Sequence, residues 1–171
     1  MINRILLAAQ FAASAHFGQK RKYSGRPYIE HPLRVAGQIA IRTDATEEAV
    51  SAAYLHDVLE DTPVTYIAMY ENFGIEVTNM VRALSHPPHS AGNRATRMAL
   101  YREQLKAAPT IVQVIKLHDR LDNLREMGPE GDFNELYARE TYALLEAIGD
   151  ADPILAEEVR NQALNVGKGN R

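Results

Sequence analysis

Four acidic and imidazole side chains crowd one short string, Leu55-His56-Asp57-Val58-Leu59-Glu60-Asp61-Thr62, which follows an apolar run. Burying an unpaired charge is expensive, so polar groups in such a setting need partners. On a helix, a spacing of four places His56 near Glu60 and Asp57 near Asp61. Three carboxylates and an imidazole packed together repel unless a cation compensates, and a divalent metal is the simplest cation. Two further isolated polar positions supply matching donors. His31 stands in Tyr28-Ile29-Glu30-His31-Pro32, and Asp119 stands in Ile115-Lys116-Leu117-His118-Asp119-Arg120-Leu121. Together His31, His56, Asp57 and Asp119 offer two neutral imidazoles and two carboxylates. That set balances a 2+ ion and suits manganese, iron or zinc. It leaves positions open for water and substrate, and a divalent ion lowers the pKa of water enough for attack on phosphorus at neutral pH.

Glu60 and Asp61 then remain as proton-transfer groups, one of them able to orient the water and accept its proton. Asn123 lies four residues after Asp119, on the same helical face, where it can donate to a phosphate or ribose oxygen. Lys20, Arg21, Lys22 and Arg26 form a basic loop that can meet phosphates, and an arginine plane can also stack on a base. Plainer readings exist for each taken alone: a loop histidine at 31, helix capping by Glu60 and Asp61 before Pro63, a solvated basic loop, a surface amide at 123. The combination favours the metal site. His86, His89 and His118 are expected to be structural or surface residues.

The elements that must position these residues are helical. The chain has 171 residues, the size of one domain, and 46% hydrophobic and 24% charged residues, an ordinary globular balance. The first helix is predicted over residues 2–17; its apolar run is read as a buried helix rather than a signal peptide, because the run is short and preceded by a single arginine. Pro32 suits the first turn of a second helix. A third starts near Thr46 and runs through Val58 toward Pro63, apolar nearly all round, as a central buried helix. Residues 63–73 and 76–84 give a fourth and a fifth, with Gly74 as a stop. Residues 85–92 form a loop. Further helices are predicted at 93–107, 110–126, 133–149 and 153–165, punctuated by Pro109, Pro129 and Pro153, with a frayed tail at 167–171. No strand, repeat or linker is evident, so the expectation is one all-α domain over 1–171, with its core at about 5–150.

Composition narrows the function. With no cysteine, thiolate nucleophiles and thiolate metal sites are excluded, and a reducing, cytoplasmic setting fits. A net charge of −3 and the lack of an aromatic–basic stripe argue against nucleic acid as a partner. No stretch approaches the ~20 apolar residues that span a membrane. The expected partner is a small nucleotide; the sequence does not fix an oligomeric state.

Four strings carry a family resemblance: His16-Phe17-Gly18-Gln19-Lys20-Arg21, Pro27-Tyr28-Ile29-Glu30-His31-Pro32, the His56-Asp57 string and Lys116-Leu117-His118-Asp119-Arg120-Leu121-Asp122-Asn123-Leu124-Arg125. Their combination resembles the HD superfamily of metal-dependent phosphohydrolases, and within it the hydrolase domain of RelA/SpoT-type alarmone enzymes. The resemblance implies an HD-type helical fold, manganese, and removal of the 3′-pyrophosphate of ppGpp or pppGpp. It implies His31, His56, Asp57 and Asp119 as ligands, Glu60 and Asp61 as catalytic, and Arg21 and Asn123 on nucleotide-contacting positions, with Lys22 beside them. The chain's length resembles a stand-alone small alarmone hydrolase. Two departures bear on the substrate: Arg26 replaces a glutamate of the family pattern in a loop longer by one residue, and Ser85-His86 falls where the pattern has a lysine. The alternatives are a phosphatase for another nucleotide such as NADPH, or a catalytically silent nucleotide-binding regulator.

Overall fold

A computed structural model describes residues 3–127 and 133–167. The predicted helix start at residue 2, Pro129 and residues 168–171 of the tail lie outside the described residues. Within them the chain is all-α. The only extended pairing among the described residues is an isolated bridge between Lys20 and Pro27, at the base of the basic loop. The chain divides into two compact units, residues 1–86 and 87–171.

The first unit holds α1 (Arg4–Ala15), α2 (Glu30–Ala40), α3 (Glu47–Leu55), α4 (Val58–Asp61) and α5 (Tyr66–Leu84). Thr46 caps α3 by accepting from the Ala49 amide at 3.1 Å, and Glu47 and Glu48 lie in its first turn, where they complement the helix dipole. As expected, α3 is the central helix: Ala49, Val50, Ser51, Ala52, Ala53 and Leu55 are all buried, and α1, α2 and α5 pack around it. Small residues make this possible. Ala8 and Ala12 of α1 and Ala49, Ala52 and Ala53 of α3 are fully buried, and short side chains allow helix axes to approach closely.

Three boundaries differ from the sequence expectation. The third helix is not continuous to Pro63. It ends at Leu55, and the backbone turns at His56 and Asp57 before α4 begins. The second helix starts at Glu30, so His31 sits inside its first turn, with Pro32 beside it. The predicted fourth and fifth helices run together as α5, which starts only at Tyr66 after its cap Thr65. Gly74 is a kink within it (φ 77°, ψ 177°), a backbone state that favours glycine.

The second unit holds α6 (Arg94–Lys106), α7 (Thr110–Glu126), α8 (Asn134–Ile148) and α9 (Pro153–Gly167), with short 3-10 turns at His89–Ala91 and Gly149–Ala151. Asn93 caps α6 by accepting from the Thr96 amide, and Asp152 accepts from the Leu155 amide at the start of α9. Gln113 donates to the carbonyls of Leu105 and Ala108, closing the C-terminal end of α6 against α7. Most of α7 is buried, including three charged residues, Lys116, Asp119 and Arg120. Burial of that kind requires partners.

Candidate metal centre

In the first unit, the ends of α2 and α3 bring three donor atoms together. His31 is fully buried and His56 nearly so. Their Nε2 atoms are 3.1 Å apart. The Nδ1 of His56 is 2.8 Å from the Ala53 carbonyl, so that nitrogen carries the hydrogen and a neutral His56 presents a bare lone pair at Nε2. Asp57 adds Oδ2, 3.0 Å from His56 Nε2 and 3.6 Å from His31 Nε2. Nitrogen and oxygen donors crowded to this spacing need a proton or a cation among them. Metal bonds of about 2.0–2.2 Å place neighbouring ligand atoms about 3 Å apart, so the trio fits a divalent ion. The turn at His56-Asp57 that breaks the predicted helix is what aims both side chains at the same point.

Tyr28 was not foreseen as a site residue. Its hydroxyl donates to Asp57 Oδ2 at 2.7 Å and lies 3.0 Å from Asp61 Oδ2. One hydroxyl proton thus serves two carboxylates, and Asp57 and Asp61 come together as the four-residue spacing implied. The Asp61 carboxyl is pushed above its ordinary range, first by burial and then by the charges of Asp57 and Glu60, partly offset by the Tyr28 bond. Such a carboxylate is a better proton acceptor than an ordinary aspartate. Glu60 turns instead to His86: its Oε2 accepts the His86 backbone N–H at 3.1 Å, and His86 Nδ1 lies 2.9 Å from that oxygen.

A further layer supports Tyr28. The ring of buried His16 stacks on it, with centroids 4.6 Å apart. The Gln19 side-chain oxygen accepts from His16 Nδ1 at 2.9 Å, and its amide donates to the Asp61 carbonyl at 2.8 Å. Arg21 is buried, and its guanidinium lies 5.3 Å from the Tyr28 ring centroid. Lys22 is exposed and rests over Tyr23. A cavity of about 250 Å³ beside the basic loop is lined by His16, Gln19, Lys20, Pro27 and Tyr28 among others.

In the second unit, α7 carries Asp119. It is buried, and it accepts from Lys116 Nζ at 2.6 Å and from Asn123 Nδ2 at 2.6 Å. The i,i+4 spacing therefore makes Asn123 a partner of Asp119. Burial disfavours the Lys116 ammonium, but the Asp119 charge and hydrogen bond, with Tyr101 5.1 Å away, more than offset this and hold the amine above its usual range. Arg120 stacks on Tyr137 at 4.1 Å. Asp119, like His31 and His56, is a buried side chain offering an atom of metal-ligand type.

Buried histidine and aspartate donors with flanking carboxylates make a donor set that fits a divalent ion. The HD domain pattern matches residues 8–151, which run through both units. The chain belongs to the HD domain family. It is 36% identical over 154 residues to a guanosine-3′,5′-bis(diphosphate) 3′-pyrophosphohydrolase of Spiroplasma citri, covering 86% of this chain and 20% of that one. It is 38% identical over 135 residues to the pyrophosphohydrolase MESH1 of Xenopus tropicalis, covering 74% of this chain and 73% of that one. The chain thus spans about a fifth of the length of the long bacterial relative. Its fold matches a solved metazoan orthologue of SpoT, described as hydrolysing ppGpp, with a TM-score of 0.83 and 24% identity over 96% of both chains. No described helix is long and apolar enough to cross a membrane.

Proposed function

We propose that this chain is a manganese-dependent hydrolase that removes the 3′-pyrophosphate from ppGpp or pppGpp, leaving GDP or GTP. The observation that carries the reading is the convergence of His31, His56 and Asp57 on one point, 3.0–3.6 Å apart, with Asp61 joined to them through Tyr28. The similarity to pyrophosphohydrolases along most of the chain supports the substrate. The proposed ligands are His31, His56, Asp57 and Asp119. Manganese is proposed over zinc because the set is half carboxylate and contains no thiolate.

A divalent ion held there supplies Lewis acidity toward the phosphate and a water acidic enough to be a nucleophile near neutral pH. The residues supply the rest. Asp61, with its raised proton affinity, takes the proton of the attacking water, and Glu60 orients it. Tyr28 keeps Asp57 and Asp61 in register. The water oxygen bonds to the phosphorus attached to the ribose 3′-oxygen. The bond between that oxygen and phosphorus breaks, the 3′-oxygen regains a proton, and pyrophosphate leaves. Arg21, Lys22 and Asn123 are the proposed nucleotide contacts, with the Arg21 plane suited to phosphate or base. The proposed setting is the cytoplasm, where a cysteine-free chain is at no disadvantage, and the proposed domain is a single HD-type domain.

Product analysis tests this. Metal-stripped protein is incubated with ppGpp, with manganese or with chelator, and the nucleotides are separated. GDP plus pyrophosphate appearing only with manganese is the expected result. Orthophosphate release from NADPH, with ppGpp left intact, would replace this reading with a phosphatase for another nucleotide.

A further inference from the structure

We propose that His86 is a positioning residue for Glu60, its ring Nδ1–H and backbone N–H together holding the Glu60 carboxylate in one orientation. The inference rests on the reading of Glu60 as a group that orients the attacking water. Its structural basis is separate from that reading.

The contact joins two loop-like points far apart in sequence. Glu60 lies in the single turn of α4, and His86 lies just past the C-terminal end of α5. The backbone N–H of His86 reaches Glu60 Oε2 at 3.1 Å, while Nδ1 lies 2.9 Å from Oε2 and 3.0 Å from Oε1. An ionised carboxylate only accepts, so Nδ1 must carry a hydrogen, and in the neutral ring the lone pair then lies on Nε2. Two donors aimed at one carboxylate fix its direction, and hydrogen bonds to a charged group are the stronger kind.

Local sequence pre-sets the geometry. Ser85 ends α5 in an extended conformation (φ −86°, ψ 139°), and its hydroxyl donates to the Val81 carbonyl at 2.9 Å. Pro87 follows His86 and disfavours the helical conformation at His86. The segment therefore leaves the helix in a fixed direction and presents amide and imidazole to the same partner. A short, stiff imidazole holds a carboxylate with less loss of side-chain entropy than a long flexible cation. The pair is only partly covered, with side-chain exposures of 23% and 35%, so the held carboxylate remains open to a water.

Two measurements on the full chain test this. The first needs no substrate. At about pH 8, above the ordinary imidazole range, the ring ¹⁵N shifts of His86 in the metal-free protein should report hydrogen on Nδ1 and a bare Nε2. Glu60→Gln should relax that preference. Hydrogen on Nε2, the usual tautomer of free histidine, overturns the proposal whatever the substrate is.

The second uses the manganese-loaded protein and ppGpp. His86→Ala should lower kcat about tenfold, the size of one charge-assisted hydrogen bond, with KM within about twofold. His86→Asn, whose amide N–H can stand in for Nδ1–H, should stay within about threefold of the parent. In a Glu60→Gln background, His86→Ala should add nothing. His86→Phe keeps the ring's bulk without the donor and takes the place of alanine if that variant does not fold. An unchanged kcat in His86→Ala, or a loss that adds in full to that of Glu60→Gln, overturns the positioning role while leaving the reading of Glu60 intact. A fully active Glu60→Gln overturns both.

Discussion

The Nε2 atoms of His31 and His56 face one another at 3.1 Å inside the first unit, with the carboxylate of Asp57 beside them. His56 has committed its other ring nitrogen to the Ala53 carbonyl, so the pair can be satisfied only by a shared proton or by a cation. The cation reading makes a direct prediction. Dialysed wild-type protein should retain manganese, measured by elemental analysis, and His56→Ala and Asp57→Ala should not. At manganese concentrations 100 times its Kd the wild type should gain about 2.7 kcal/mol of stability, and neither variant should gain. Asp57→Ala should also abolish turnover. Near-normal activity in that variant, with metal still bound, would remove the core of the proposed site.

Tyr28 supplies one hydroxyl to two carboxylates. Tyr28→Phe keeps the ring that stacks on His16 and removes only the donor. The expected cost is about 1.5–3 kcal/mol in transition-state stabilisation, the range for a hydrogen bond to a charged group, read as a fall of about 10- to 100-fold in kcat. Thermal unfolding should change little, because both carboxylates can recruit water. A large loss of stability with unchanged kcat would make the hydroxyl structural.

The legible parts of this protein were those written in local pattern. Thr46 before two glutamates and Pro153 at a helix start mark boundaries the structure repeats, and the alanine-rich string after Thr46 marks the buried helix. The donor residues stood out because each is a polar residue stranded among apolar ones. What stayed hidden depends on contacts between distant positions. Nothing local to Tyr28 or His86 shows that each reaches the string around Asp57 and Glu60, because those contacts span 29 and 26 residues. The turn at His56-Asp57 carries no glycine or proline to mark it. Gly74 was read as a stop, but the chain resumes helix immediately after it, so it serves as a kink. Lys116 was within reach of the sequence argument: it is as isolated in its apolar helix as Asp119, three residues away.

Asp61 predicts a trade between stability and activity. Burial and the neighbouring Asp57 and Glu60 charges raise its pKa in the folded state. A group so shifted stabilises the fold when protonated, and that contribution is lost as pH rises through the raised value. At neutral pH the ionised Asp61 therefore lowers the stability of metal-free protein. Asp61→Asn should raise the Tm at pH 7 and lose this advantage as the pH falls toward the ordinary carboxylate value of 3.8, while turnover drops. A Tm advantage independent of pH would assign the effect to packing.

Lys116 and Asp119 form a buried ion pair at 2.6 Å. Lys116→Met fills similar space but removes the ammonium, while the Asn123 amide still donates to the carboxylate. Breaking a buried pair from one side costs about 3–5 kcal/mol, which chemical denaturation would register. Asp119→Asn in the same chain should recover part of that loss. If Asp119 is a ligand, manganese should also restore part of the stability of Lys116→Met, and should restore none in the double variant. Equal rescue in both would take Asp119 out of the proposed ligand set.

Arg21 is the buried basic residue of the loop, with its guanidinium 5.3 Å from the centroid of Tyr28, whereas Lys22 is exposed. A pre-placed arginine can receive a phosphate without ordering a flexible chain first, so it should act mainly on substrate binding. Arg21→Ala is expected to raise KM for ppGpp about 10- to 100-fold, with kcat within about threefold, the pattern of an interaction made equally in ground and transition states. Arg21→Lys should rescue poorly, since an ammonium reproduces neither the planar stack nor the paired donors, and Lys22→Ala should have the smaller effect. An unchanged KM in Arg21→Ala would return the loop to solvent. A fall in kcat alone would mean instead that Arg21 acts through Tyr28, by fixing the ring whose hydroxyl joins Asp57 to Asp61.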